Sequence, residues 1–293
     1  MAANTRDIRR RIKSVKNTAQ ITKAMQMVAA SKMRKAQQLA LDARPYSVAL
    51  RQMTLALRKL DSEKTHPLLE ARSAGKQLVL VVATDKGLCG ALNTNLLREA
   101  SKFDASKTIF VTLGRKASQW VARNKRELQA DFPLKDAPAF SETKTVSKFL
   151  VEKFLAGEVD SVSVLYTDFK NTLTQVPKTV KILPITAELE ELDFNNLAGD
   201  KTIGADTRDI LFEPDPYSFL EALLPYSVHI AVFNAVLEAR ASEHSARMVA
   251  MKAATDNAKS LIKDLSLEYN KLRQASITTE LLEISTAQMV LGQ

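Results

Sequence analysis

The chain has 293 residues, 45% of them hydrophobic and 26% charged, with 8 Gly and 9 Pro; this excludes wholesale disorder and suits one sizeable core or two small ones. One cysteine, Cys89, excludes an internal disulfide and a cysteine-based zinc cluster, and three scattered histidines leave little for metal or triad chemistry. The net charge of +9 sits on one arm, because residues 1–44 carry eleven Lys and Arg against Asp7 and Asp42 while the remainder balances. An arm of that kind fits nucleic acid or an acidic protein surface. No window approaches eighteen consecutive apolar residues, and the N-terminus lacks an apolar signal core, so a cytosolic, bacterial chain is expected.

In chain order, Asn4 followed by Asp7 reads as a helix start, and the helix is expected to run to about Leu60. Ala36, Leu39, Ala43, Tyr46, Leu50, Met53, Leu57 and Leu60 alternate by three and four, which predicts a heptad seam. Pro45 is expected to bend or break that helix, since it lacks the N–H its turn requires. The stretch Ile21–Met33 is apolar on more than one side, so it should be buried or held in a sleeve.

The middle changes character. Leu78–Ala83 is an unbroken apolar run and reads as a buried parallel strand. A two-glycine loop, Asp85–Gly90, leads to a helix near Leu92–Phe103. A strand at Thr108–Leu113, a helix from about Arg115 to Lys125, a helix at Thr145–Ala156, and strands at Ser161–Thr167 and Thr179–Ile185 follow. This alternation predicts a small, mostly parallel α/β sheet with flanking helices. The polar stretch over 187–211 reads as a linker, and helix resumes at 212.

From Tyr226 to Leu291 there is neither Gly nor Pro. As one helix this stretch would reach roughly 100 Å. Its apolar row steps through Tyr226, Ile230, Phe233 and Leu237, slips in phase, then continues as Ala241, His244, Met248, Met251, Thr255, Ala258, Ile262, Leu265, Tyr269 and Leu272. So long a helix needs a partner, and the N-terminal helix is the one available. The expected organisation is therefore a coiled-coil helix over 1–60, a Rossmann-like α/β domain over 76–186, a linker over 187–211 and a coiled-coil helix over 212–291. The terminal helices would pair as an antiparallel coiled coil around the inserted sheet.

Catalytic chemistry is hard to find. The loop Thr84–Leu92, "TDKGLCGAL", sits where a nucleotide site could lie, but it matches neither the dinucleotide fingerprint nor the phosphate-binding loop. Cys89 has no histidine nearby in sequence and reads as a small buried residue. Residues 1–45 contain no aromatic, which weighs against a nucleic-acid partner. The sequence suggests no cofactor and no metal site. The competing readings are a basic coiled-coil nucleic-acid-binding protein and a nucleotide-dependent enzyme built on the middle sheet.

Five stretches carry a resemblance: "ITKAMQMVAASKMRKAQ" (Ile21–Gln37), "GLCGALN" (Gly87–Asn93), "EPDP" (Glu213–Pro216), "SEHSARMVAMKAATDNA" (Ser242–Ala258) and "YNKLRQASITTELLEI" (Tyr269–Ile284). Together they resemble the gamma subunit of F-type ATP synthases, essentially from end to end. The resemblance implies a non-catalytic rotor shaft inside a hexamer of alpha and beta subunits, with the α/β domain against the epsilon subunit and the c-ring. It implies a peripheral position on the cytoplasmic face of a bacterial inner membrane. It also assigns residues. Arg273 and Gln274 match positions that catch a beta-subunit loop, with Thr278 and Glu280 in the same patch. Met25, Lys32 and Arg247 match positions facing acidic tips of the beta subunits, and Gly87, Leu88, Cys89 and Gly90 form a contact loop of the foot. Two departures stand out: Ala287–Gln288 replaces the family's terminal Gly–Ala, and a lone cysteine leaves no regulatory disulfide.

Overall fold

The computed structural model describes residues 2–60, 66–72, 75–133, 138–185 and 216–291. Its elements are α1 (Ala2–Leu60), β1 (Gln77–Val82), α2 (Leu92–Ser101), β2 (Thr108–Leu113), α3 (Arg115–Arg123), β3 (Glu127–Phe132), α4 (Phe140–Leu155), β4 (Ser161–Phe169), β5 (Gln175–Leu183) and α5 (Pro216–Leu291). Two compact units result, one made of Met1–Ala29 with Met248–Gln293 and the other of Ala30–Arg247. The expected linker over 187–211 lies outside the described residues.

The larger unit is built on a five-stranded sheet in the order β3-β2-β1-β4-β5, parallel except for the β4–β5 hairpin. The central strands are apolar on both faces because both faces are covered. On one, Val79, Val81, Phe110 and Leu165 pack against Leu96 and Ala100 of α2 and Ala117 and Val121 of α3. On the other, Leu78, Leu80, Val111 and Val164 meet Leu150 and Phe154 of α4 and Val228, Val232 and Val236 of α5. This part of α5 is therefore core, apolar on nearly every side. That explains why α5 contains a window apolar enough to cross a bilayer by length and composition; 61% of the window is buried inside the protein.

Several sequence expectations shift here. The edge strand β3 was not foreseen, because "ELQADF" is largely exposed and shows no apolar run. The helix expected from Thr145 begins at Phe140, where Phe140 packs edge-on against Phe233 at 5.5 Å. Pro45 lies inside α1 without ending it. It faces solvent, where water can satisfy the carbonyl its missing N–H leaves open. The row predicted for α1 is also only partly right: Ala36 and Leu50 are buried, whereas Leu39, Tyr46 and Met53 are exposed. A strict 3.5-residue row drifts about 20° per heptad around a straight helix, so its members cannot all keep to one face.

In the smaller unit the two terminal helices pack along a narrow seam. On α5, Met251, Thr255 and Ala258 are buried and Ile262, Leu265, Tyr269 and Leu272 are half-buried, with exposed residues between them. Ile8 and Ala29 are buried on α1, and Met25 is half-buried. Thr22 and Thr255 share a hydrogen bond of 2.8 Å across the seam. Through that pairing, an antiparallel register brings the start of α1 opposite residues 272–275, so α5 continues past its partner beyond that point. The second apolar side of Ile21–Met33 is open: Ile21, Met27 and Val28 are each more than half exposed.

Candidate functional site

The stretch Ser242–Arg247 of α5 acts as an anchor block within the α/β unit. Ser242 Oγ donates to the carbonyl of Thr167 on β4 at 3.0 Å, and Ser245 Oγ donates to the carbonyl of Thr172 in the β4–β5 turn at 2.8 Å. Glu243 lies between two guanidinium groups, paired through Oε2 with Arg240 and through Oε1 with Arg247 at 2.8 Å. Arg240 and Glu243 are almost wholly buried, and Arg247 is partly exposed. A charge buried in this way is tolerable because each is paired.

Arg247 also reaches the loop between β1 and α2. Its Nη2 donates to the carbonyls of Lys86 and Gly87, each at 3.3 Å, and its Nε to that of Gly87 at 3.4 Å. The loop is largely self-satisfied. Thr84 Oγ1 donates to the Lys86 carbonyl at 2.7 Å, and Asn93 Nδ2 donates to Thr84 Oγ1 at 2.8 Å and lies 3.3 Å from Cys89 Sγ. Leu88 and Gly90 adopt φ of 62° and 60°, the left-handed region, which turns Leu88 outward and Cys89 inward. Burial pushes the Cys89 thiol above its ordinary range, and the nearby Arg247 pulls it part of the way back. The thiol is therefore kept protonated and enclosed, the opposite of a nucleophile's setting.

The end of α5 has a different character. Arg273, Gln274, Thr278 and Glu280 are all exposed. Thr278 Oγ1 donates back to the Gln274 carbonyl at 3.0 Å, and Ser276 Oγ lies 3.3 Å from a Glu280 carboxylate oxygen. Interleaved with them, Ile277, Leu281 and Ile284 are each about half exposed or more. Arg273 thus presents an exposed planar fork beside apolar surface, suited to a carboxylate-bearing partner.

The structure brings together two sets of predicted residues: Arg247 with the Gly87–Gly90 loop, and Arg273, Gln274, Thr278 and Glu280 on the tip. Lys32 sits on an exposed face of α1, while Met25 is part of the seam. Residue-by-residue reading missed the anchoring role of Ser242, Glu243 and Ser245. Only the unbroken "SEHSAR" string marked the place. Among the described residues there is no cluster of three or more His, Cys, Asp or Glu able to hold a metal.

Paired terminal helices, an exposed mixed tip and an inserted α/β unit whose loops are clamped for structure define a class: a helical stalk subunit. The ATP synthase family model matches residues 4–291. An ATP synthase gamma chain of Methylacidiphilum infernorum is 50% identical over 99% of this chain and 100% of its own length. That of Opitutus terrae is 49% identical over 98% of each. A chain of the Euglena gracilis mitochondrial ATP synthase rotor, solved by cryo-EM, has the same fold, with a TM-score of 0.67 at 23% identity over 94% of this chain and 100% of its own. The chain belongs to the ATP synthase gamma chain family, whose members are non-catalytic stalk subunits.

Proposed function

We propose that this chain is the central rotor shaft of an F-type proton-translocating ATP synthase, carrying torque between the membrane c-ring and the catalytic beta subunits. The observation that carries the reading is full-length identity of 50% to a gamma chain, in a chain whose terminal helices are paired along a thin seam. Its partners are the alpha and beta subunits of the hexamer, the epsilon subunit and the c-ring. The complex is membrane-associated, and the position proposed for the chain is peripheral, at the cytoplasmic face of a bacterial inner membrane.

The chemistry suits a turning part. A shaft needs stiffness along its axis, which paired helices supply, and a surface that does not lock into its bearing. Small and polar seam residues such as Thr22, Ala29, Thr255 and Ala258 keep the pair narrow. Each proton crossing the membrane supplies about 2.3 kcal/mol per 100 mV, so several must be summed elastically before one nucleotide is released. At the tip, Arg273 and Gln274, with Thr278 and Glu280, are the residues assigned to engage a beta-subunit loop. Met25, Lys32 and Arg247 are assigned to the acidic tips of the beta subunits, and Gly87–Gly90 to the foot's contacts.

The test is proton-driven ATP synthesis by the complex reconstituted in vesicles with Arg273→Ala and Gln274→Ala together. Synthesis should fall several-fold while the chain still folds. Undiminished synthesis would remove the tip from the mechanism. Failure of the chain to co-purify with ATPase subunits would remove the rotor reading itself.

A further inference from the structure

We propose that Glu238 of α5, with Tyr166 and Asp168 of β4, forms a joint that fastens the sheet to the long helix through one retained proton, and that the joint loosens progressively as the medium loses its acidity. Tyr166 and Asp168 stand two residues apart on one strand and so point to the same face of the sheet. Glu238 hydrogen-bonds to both. All three are buried, at 1%, 5% and 4% exposure for Tyr166, Asp168 and Glu238. Two hydrogen-bonded carboxyls cannot both be ionised, because one must donate. Among the described residues Glu238 Oε2 has no hydrogen-bond partner, so a carboxylate at that position would leave an oxygen charged and unsolvated.

The surroundings favour the protonated form. Burial and the Asp168 carboxylate push Glu238 up to about 8. Tyr166 is raised far above its ordinary range by burial, then by Glu238 and Asp168, so it stays a donor. From β5, Lys178 faces the group; it stands opposite Tyr166 in the hairpin and pulls Glu238 part of the way down. On α5 itself, Arg240 and Glu243 are paired with each other. α1 approaches this neighbourhood through Ala36, which packs on Phe169 and Ala241.

The direction follows from proton counting. Docked, Glu238 holds its proton up to about pH 8; undocked, it releases it in the ordinary carboxylate range near 4.5. Undocking therefore releases a proton throughout that window. The joint's contribution is complete below the ordinary carboxylate range and is lost as pH rises through about 8. In the window the opening constant rises by up to about tenfold per pH unit, and above it the rise stops. For the machine this has a consequence that rests on the rotor reading: α5 bears the load, so coupling should weaken as pH rises through the window and level off above about 8.

Hydrogen exchange followed by mass spectrometry on the assembled complex tests the joint. Opening constants are taken for β4 and for residues 228–245 after correction for intrinsic exchange, between about pH 6 and 8. The wild-type constants should climb by up to tenfold per unit, and those of Glu238→Gln, which keeps a donor but cannot ionise, should stay flat. A flat wild type, or an equal slope in Glu238→Gln, overturns the proposal. Should Glu238→Gln not fold, Asp168→Asn supplies an amide donor to the Glu238 carboxylate and should flatten the slope; an unchanged slope overturns the proposal. The infrared difference spectrum of the wild type should also show a protonated-carboxyl band that titrates away near pH 8. Its absence at neutral pH counts equally against the joint. Exchange is read whether or not the complex rotates, so the joint and the rotor reading fail separately.

Discussion

Replacing Glu243 by alanine removes the carboxylate that holds two buried arginines. Arg240 and Glu243 have side-chain exposures of 2% and 5%, so the guanidinium left behind has almost no access to water. Arg247 suffers less, because at 12% exposure it retains the carbonyls of Lys86 and Gly87. The loss should therefore come mainly from a buried guanidinium deprived of its carboxylate, about 3–5 kcal/mol. With a urea dependence of about 3 kcal/mol per molar, the unfolding midpoint should fall by about 1–1.7 M. The single tryptophan reports it conveniently, since Trp120 lies edge-on to Phe110 at 5.9 Å in the same unit. A double variant, Glu243→Leu with Arg240→Met, should recover most of the loss, because a buried pair replaced by apolar groups is often neutral. A shift corresponding to less than about 1 kcal/mol in Glu243→Ala, or an equal loss in the double variant, refutes this account of the buried pair.

Gly114→Ala should destabilise by at least about 2 kcal/mol, because its φ is 95° and an added Cβ would fall 2.3 Å from the Ala83 carbonyl oxygen. Gly87→Ala, with open space around it, should stay within about 0.5 kcal/mol, measured by the same urea titration. Arg247→Ala should speed reaction of Cys89 with a thiol reagent several-fold by freeing the loop that covers it; an unchanged rate would show that Arg247 does not hold the loop closed. The tip variant Arg273→Ala with Gln274→Ala should unfold within about 0.5 kcal/mol of wild type, since both residues are exposed. A larger loss would mean that its effect on synthesis reports folding.

Much of the architecture was visible as periodicity. The final helix could be read from a stretch free of Gly and Pro, and the buried strands "LVLVV" and "TIFVTL" from their unbroken apolar runs. What stayed hidden depends on partners distant in sequence. β3 shows no pattern because it is an exposed edge whose pairing with β2 supplies its reason to be extended. Leu39 and Met53 looked like seam residues because spacing alone cannot tell which face a second helix covers. The tip residues were named only through family resemblance, since an exposed Arg273 beside Gln274 has no pattern of its own. In the sequence Glu238 is only one charge in a long helix. Its setting exists only once β4 brings Tyr166 and Asp168 against it.

The central claim, that a non-catalytic chain turns inside its complex and carries load, is tested most directly by watching it turn. The hexamer is fixed to a surface, and a probe is attached to a cysteine placed at Lys107, an exposed position just before β2, in a Cys89→Ser background. With ATP supplied, the probe should rotate in one direction, pausing three times per turn as each beta site takes its place. A probe that only jitters, or turns equally both ways, while ATP is being hydrolysed at full rate would contradict the account.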